Sequence, residues 1–137
     1  MRLELYQQET ERLARDLQAM LDEVSERLHQ HQPLSALEQA GVLHALQVLT
    51  ENAIGKAKLW IKHRHQAVPV SAYDAFAHLH RDRFIDDEAM QNWTAAIGLR
   101  NRIVHDYLNV DMTIVETLVK ERKYQLQVQF LLNPITP

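Results

Sequence analysis

DDEAMQNWTAAIGLRNRIVHDY, residues 86–107, is the stretch on which the fold turns. At helical spacing, Met90, Trp93, Ile97, Val104 and Tyr107 form an apolar row in steps of three and four. That period marks a helix with one face turned to a core. Asp86 or Asp87 can cap its start, and Glu88 suits the positive end of the helix dipole. The slot in the row between Ile97 and Val104 belongs to Arg100, with Asn101 and His105 beside it. A guanidinium in an apolar seam needs a reason.

Working outward, the same period recurs on both sides. Leu3, Tyr6, Leu13, Leu17, Met20, Leu21, Val24 and Leu28 predict one long helix over residues 1–30, broken by HQHQPLS. Leu37, Val42, Leu46, Leu49, Ala53, Ala57, Trp60 and Ile61 predict a second of similar length, from Ser35 to Arg64. Ser71 with Asp74 three residues on reads as the start of a short third helix through Phe76 and Leu79. The fourth helix is expected to run to Tyr107. A fifth, capped by Asp111, is expected from Ile114 through Leu126, with residues 132–137 a fraying tail. No segment sustains a period of two. The expectation is an all-α antiparallel bundle of about five helices forming a single domain over residues 1–137.

Composition narrows the classes. The chain has 137 residues, 46% hydrophobic and 24% charged, with only three glycines and four prolines, values of an ordinary globular domain. No cysteine is present, which excludes disulfides, thiolate metal sites and a cysteine nucleophile. Acidic residues throughout the first thirty positions argue against a signal peptide, and no run approaches the roughly 18 apolar residues of a membrane span. The expected setting is the cytoplasm, with no membrane contact. Net charge is −3, so the chain as a whole is not a basic nucleic-acid binder. Lys56, Lys58, Lys62, Arg64, His63 and His65 nonetheless cluster in an acid-free stretch. Two readings stand: a solvated helix end, or a local phosphate-attracting patch.

On a helix, Asn101 and His105 share one face, and Arg100 and Tyr107 the neighbouring one. Arg100 and His105 lie about 140° apart, a span that a long arginine can close. Both heads can then converge on one anion. Arg102 and Asp106, four apart, read as an outward-facing pair. Arginine offers a planar fork of donors to phosphate oxygens, and histidine exchanges a proton near neutral pH. This suits phosphodiester chemistry, and no metal is needed if the attacking group is RNA's own 2′-hydroxyl. A single histidine supplies either the base or the acid; a two-fold axis through this helix would supply both, and Gly98 is compatible with close approach there. A buried Arg100–carboxylate pair between helices, with His105 merely hydrogen-bonded, would write the same local sequence. Spacing leaves both readings open.

The residues also carry a resemblance. Arg100-Asn101-Arg102-Ile103-Val104-His105-Asp106-Tyr107 is similar to the R-N-x-x-x-H-x-Y signature of the HEPN-domain toxins of the HepT type. VPVSAYDAF, residues 68–76, resembles the family's P-x-S-x-x-x-x-F segment. NVDMTIV, residues 109–115, resembles its short loop into the last helix. The long first helix and LQVLTENAI, residues 46–54, fit as well. The resemblance implies a HEPN-like homodimer acting on RNA as a ribonuclease without metal or cofactor. It implies Arg100 and His105 as the catalytic pair, Asn101 as their assistant, and Tyr107 as the acceptor of AMP from a minimal nucleotidyltransferase (MNT) antitoxin. Each AMP would bring bulk and negative charge to a site built for phosphate.

There is one departure. Where the family commonly has Glu-x-x-x-Asp on the second helix, this chain has Glu51 and Gly55. Glu51 remains a plausible partner for Arg100 or for the antitoxin. The missing acid favours an alternative, a non-catalytic helical subunit that binds a nucleotidyltransferase, whereas the complete R-x4-H-x-Y set favours the enzyme. His29/His31, His63/His65 and His78/His80 sit two apart, about 200° around a helix, which does not suit a shared metal. Trp60 and Trp93 are at core spacing and read as packing anchors.

Overall fold

Helix starts and stops are written locally, and the starts are the plainer of the two. The Ser35 hydroxyl accepts from the Glu38 N–H at 3.1 Å while the Glu38 carboxylate accepts from the Ser35 N–H at 2.8 Å, a reciprocal capping box. Ser71, Asp86 and Asp111 accept from the backbone N–H of Asp74, Ala89 and Thr113 at 3.0, 2.8 and 2.9 Å. The stops are unusual. His31, His65, Arg83 and Arg122 take left-handed φ values of 58°, 59°, 64° and 57°. Each is followed by a residue whose N–H turns back to the helix: Gln32 to Arg27, Gln66 to Ile61, Phe84 to Leu79 and Lys123 to Leu118. These are Schellman caps built on histidine and arginine where glycine is the usual choice.

The computed structural model describes residues 2–135. Among them lie α1 (Arg2–His29), α2 (Ala36–His63), α3 (Ala72–Arg81), α4 (Asp87–His105), α5 (Met112–Lys120) and α6 (Gln125–Leu132), with a single 3-10 turn at Tyr107–Asn109. No strand occurs among the described residues. The all-α reading holds, with one correction: the expected fifth helix is two. Arg122 breaks it, holding Glu26 of α1 at 3.0 Å, and Tyr124, fully buried, donates its hydroxyl to Asp22.

Cross-links set the directions. Arg27 at the end of α1 pairs with Glu38 at the start of α2, so these two helices run antiparallel. Gln127 and Phe130 of α6 meet Thr50 and Lys56 of α2, so α6 runs parallel to α2. Helix α2 is the hub, packed against α1, α3, α4 and α6, while α5 and α6 lean on α1. Trp93 of α4 stacks on Phe76 of α3, ring centroids 4.1 Å apart, and meets Phe130 of α6 edge-on at 5.1 Å. Trp60 packs on Phe84 at 4.8 Å. Both tryptophans are packing anchors, as their spacing implied. Met20 and Leu37, included in the apolar rows, are instead exposed. No helix among the described residues is long and apolar enough to cross a membrane.

The expected tail is tied down as far as Asn133. Lys56 is 1% exposed, and its ammonium donates to the carbonyls of Phe130 at 2.5 Å, of Leu131 at 3.4 Å and of Asn133. A cation thus closes the C-terminus of α6, where the dipole favours one. Gln7 adds a 3.3 Å bond to the Leu131 carbonyl. Residues 136 and 137 lie outside the described residues. Desolvation pulls the Lys56 pKa down from 10.5 to about 8, with the Glu11 carboxylate acting in the opposite direction. Lys56→Met leaves those carbonyls without their donor and should destabilise the fold by about 1–3 kcal/mol. Because the folded-state pKa is the lower one, the unfolded chain binds more protons between pH 8 and 10.5, so wild-type stability gains from this group as pH rises through that window. Denaturant melts across that range check it: the gap between wild type and Lys56→Met should widen with pH.

Candidate active site at the end of helix α4

Helix α4 changes partners along its length. Met90, Trp93 and Ile97 are buried, and Ile103 continues that row. Val104 and Tyr107, placed in the same row by sequence, are 43% and 49% exposed. Arg100 lies between the two regimes, partly buried. The helix ends at His105, two residues earlier than expected. Asp106 leaves helical geometry with φ −147°, and its carboxylate accepts from the Asn109 side chain at 2.7 Å. The expected Arg102–Asp106 pair therefore gives way to an Asp106–Asn109 clasp. Tyr107 opens the 3-10 turn and is not the helical neighbour of Arg100 that the spacing implied.

Trp93 of α4 and Phe130 of α6 are in contact, and a cleft opens between the two helices. The cleft between them is floored by Leu46 and Thr50 of α2 and offers about 230 Å³. Arg100 lines it from α4, with Leu99 and Ile103; Leu118, Lys123, Leu126 and Gln127 line the far side. No ion pair holds the Arg100 guanidinium among the described residues, and its Nε–H is buried without an acceptor. The interhelical Arg100–carboxylate pair that the sequence left open does not form among the described residues. Buried donors in folded proteins are nearly always paired, so this one stands out.

Asn101 and His105 are exposed on one face of α4 and engage no other side chain among the described residues. They do not line the cleft that Arg100 enters. Within one chain the structure thus groups Arg100, Asn101, His105 and Tyr107 in the last turns of α4 and the turn after it, with Arg100 facing inward and the rest outward. Glu51 is exposed on α2 and its carboxylate meets the Gln47 amide at 3.5 Å, not Arg100. Gly55, one turn on, is exposed with nothing within 4 Å of where a Cβ would stand. An acid there would fit.

Two features of the region escaped the sequence. Gln127, only 6% exposed, donates to Thr50 Oγ1 at 3.3 Å while the Thr50 hydroxyl donates to the Leu46 carbonyl at 2.9 Å. No short motif announces a glutamine buried by a helix that the sequence did not resolve. The second concerns the cationic stretch, which is largely consumed by structure. Lys56 caps α6, Lys58 donates to the Val70 carbonyl at 2.6 Å, and Arg64 pairs with Asp82 at 3.2 Å over the Phe84 ring. Of that stretch's cations and histidines, only Lys62, His63 and His65 are exposed, which favours the solvated-helix-end reading.

Comparison with known proteins follows the same lines. A chain of a toxin–antitoxin complex solved with AMP-PNP matches at a TM-score of 0.77 and 22% identity, over 92% of this chain and 95% of that one. The complex of the tri-AMPylated Shewanella oneidensis HEPN toxin with its MNT antitoxin contains a chain that matches at 0.66 and 24%, over 87% and 93%. A mutant MntA–HpeT toxin–antitoxin structure matches at 0.64 and 22%, over 87% and 94%. At these identities the likeness is one of fold. No curated protein matches in sequence. The family model for HepT-like ribonucleases matches residues 10–130, and the chain belongs to the HepT-like ribonuclease family.

Proposed function

We propose that this chain is the toxin of a HEPN/MNT toxin–antitoxin pair, a metal-independent endoribonuclease that works as a homodimer. One observation carries the reading: among the described residues Arg100 has no carboxylate partner, and His105, one and a half turns on at the outer face of the same helix end, is exposed and engages no other side chain. The His105 imidazole takes the proton of a ribose 2′-hydroxyl. The freed oxygen attacks the adjacent phosphorus, the bond to the 5′-oxygen breaks, and that oxygen leaves with a proton. The products are a 2′,3′-cyclic phosphate and a 5′-hydroxyl. Arg100 donates to the phosphate's non-bridging oxygens as charge builds on them. Asn101, on the His105 face, positions substrate or the ring.

A second copy supplies the second imidazole, so that one acts as base and the other as acid. Thr94, Gly98, Asn101 and His105 fall in one exposed stripe of α4 at steps of four, three and four. A Cβ at Gly98 would meet nothing within 4 Å, although a mid-helix glycine costs roughly 0.5–1 kcal/mol relative to alanine. Close approach of a second α4 gives that glycine a purpose. Glu51 takes a supporting part from α2, towards the site or the antitoxin.

Tyr107, half exposed on its turn, is the point of control. The antitoxin transfers AMP from ATP to the Tyr107 oxygen, releasing pyrophosphate while the phenol proton goes to solvent. The added phosphates then repel RNA from the His105 face. The tri-AMPylated HEPN toxin among the structural neighbours supports this reading. The Gly55 departure favours one rival, a non-catalytic subunit that docks a nucleotidyltransferase.

Induction of the chain alone should arrest growth; harmless induction would favour the docking subunit. His105→Ala and Arg100→Ala should each lower RNA cleavage by about 10²–10⁴-fold, and parental rates in either variant would remove these roles. Co-expression with a cognate MNT antitoxin should add one or more AMP masses that map to Tyr107. Since Arg100 has no ion-pair partner to lose among the described residues, Arg100→Leu should keep or raise the melting temperature while lowering cleavage as far as Arg100→Ala does. A loss of more than about 2 kcal/mol would mean the arginine is structural.

A further inference from the structure

We infer that Leu108, on the turn after α4, is the docking anchor for the nucleotidyltransferase that modifies Tyr107, and that this partner carries an apolar recess beside its nucleotide site to receive it. The inference rests on the proposed AMP transfer to Tyr107; the anchor itself is argued from the turn. Leu108 is 94% exposed. A single leucine on a surface needs no explanation, but this one is held there. Upstream Ile103 is buried, and downstream Val110 and Met112 pack against the core, while every residue from Val104 to Asn109 is exposed. The turn between them is locked by its own bonds. The Asn109 amide donates to the Asp106 carboxylate at 2.7 Å, the Asn109 N–H to the Asp106 carbonyl at 3.0 Å, and the Val110 N–H to the Tyr107 carbonyl at 3.3 Å. With both ends tied down, Leu108 stays in water until a partner covers it.

Three large hydrophobic side chains stand exposed within five residues here: Val104 at 43%, Tyr107 at 49% and Leu108. Arg102, His105, Asp106 and Asn109 are exposed among and beside them. An apolar centre with a polar rim is the make-up of a protein–protein interface, whereas a phosphate backbone is drawn to cations. The choice of occupant follows from Tyr107. An enzyme that transfers AMP to the Tyr107 oxygen must close around that side chain. The Leu108 Cα is about 3.8 Å from the Tyr107 Cα along the chain, so an enzyme seated on Tyr107 reaches Leu108 as well. A second copy of this chain is placed elsewhere, on the stripe of α4 that runs through Gly98 and ends at His105. Leu108 lies beyond the break at Asp106. Because the leucine is next to the acceptor and takes no part in the chemistry, it contributes to binding of the toxin and not to the transfer step.

The test measures AMP transfer from ATP to the full chain by a cognate MNT antitoxin, as initial rate against toxin concentration, for wild type, Leu108→Ser and Leu108→Met. Leu108→Ser should raise the KM for the toxin at least about tenfold and leave kcat within about twofold. Leu108→Met keeps the apolar bulk and should stay close to wild type. RNA cleavage and the melting temperature of Leu108→Ser should match the parent, because so exposed a side chain holds nothing in place. An unchanged KM overturns the anchor. A fall in kcat alone also overturns it, since Leu108 would then only support the turn. Loss of the dimer in Leu108→Ser would show that the leucine covers a second copy instead, and overturns it too. Binding titrated without ATP separates the anchor from the reading beneath it. If the antitoxin binds wild type at least about tenfold tighter than Leu108→Ser yet adds no AMP to Tyr107, the modification reading fails and the anchor survives. If both forms are modified alike at Tyr107, the anchor alone fails. If the antitoxin neither binds nor modifies wild type, both fall.

Discussion

The stacking of Trp93 on Phe76, with Phe130 edge-on against it, is the constraint on which the rest of the molecule depends. It joins α3, α4 and α6 at one end and fixes the roll of α4 about its own axis. Once that roll is set, Ile97 and Ile103 must face the core, and Arg100, between them in sequence, must line the cleft between α4 and α6. Asn101 and His105 must then face out. The inward arginine and the outward histidine are consequences of a single aromatic contact two turns away. Aromatic pairs of this kind add about 0.5–1.5 kcal/mol to their buried area. Loosening this one would move the site as well as weaken the fold.

At the same end, a second constraint protects the geometry. Helix α6 has only eight residues, too few to be stable alone. It persists because Tyr124, Val128 and Leu131 are fully buried and because Lys56 holds its terminal carbonyls. A buried ammonium is costly, and the carbonyls offset that cost only when the helix ends where it does. The wall that carries Gln127 into the cleft thus depends on a lysine that sequence reading assigned to a charged surface stretch.

What the sequence made legible was whatever is written in local chemistry. Ser35, Ser71, Asp86 and Asp111 each cap the helix that their position announced. The apolar row of α4 was read correctly as far as Ile97. Beyond that, Val104 keeps the period inside the helix yet is exposed, Ile103 being the residue that is buried, and Tyr107 lies past the break at Asp106. Helix ends were harder. The usual terminators are glycine and proline, whereas this chain stops its helices with His31, His65, Arg83 and Arg122 in left-handed geometry. The break between α5 and α6 was invisible for that reason: Arg122 looks like a good helix former. The pairing of Gln127 with Thr50 spans 77 residues and has no local signature. The arginine in the seam was visible at once; that it has no carboxylate partner among the described residues required the structure.

The central claim is that Arg100 and His105 cleave RNA by using the strand's own 2′-hydroxyl. The most direct measurement is the chemistry of the RNA ends produced by the purified chain in excess chelator. The account predicts 2′,3′-cyclic phosphate and 5′-hydroxyl ends, formed at an undiminished rate. Cleavage that leaves 5′-phosphate and 3′-hydroxyl ends, or that stops when divalent ions are removed, would contradict it.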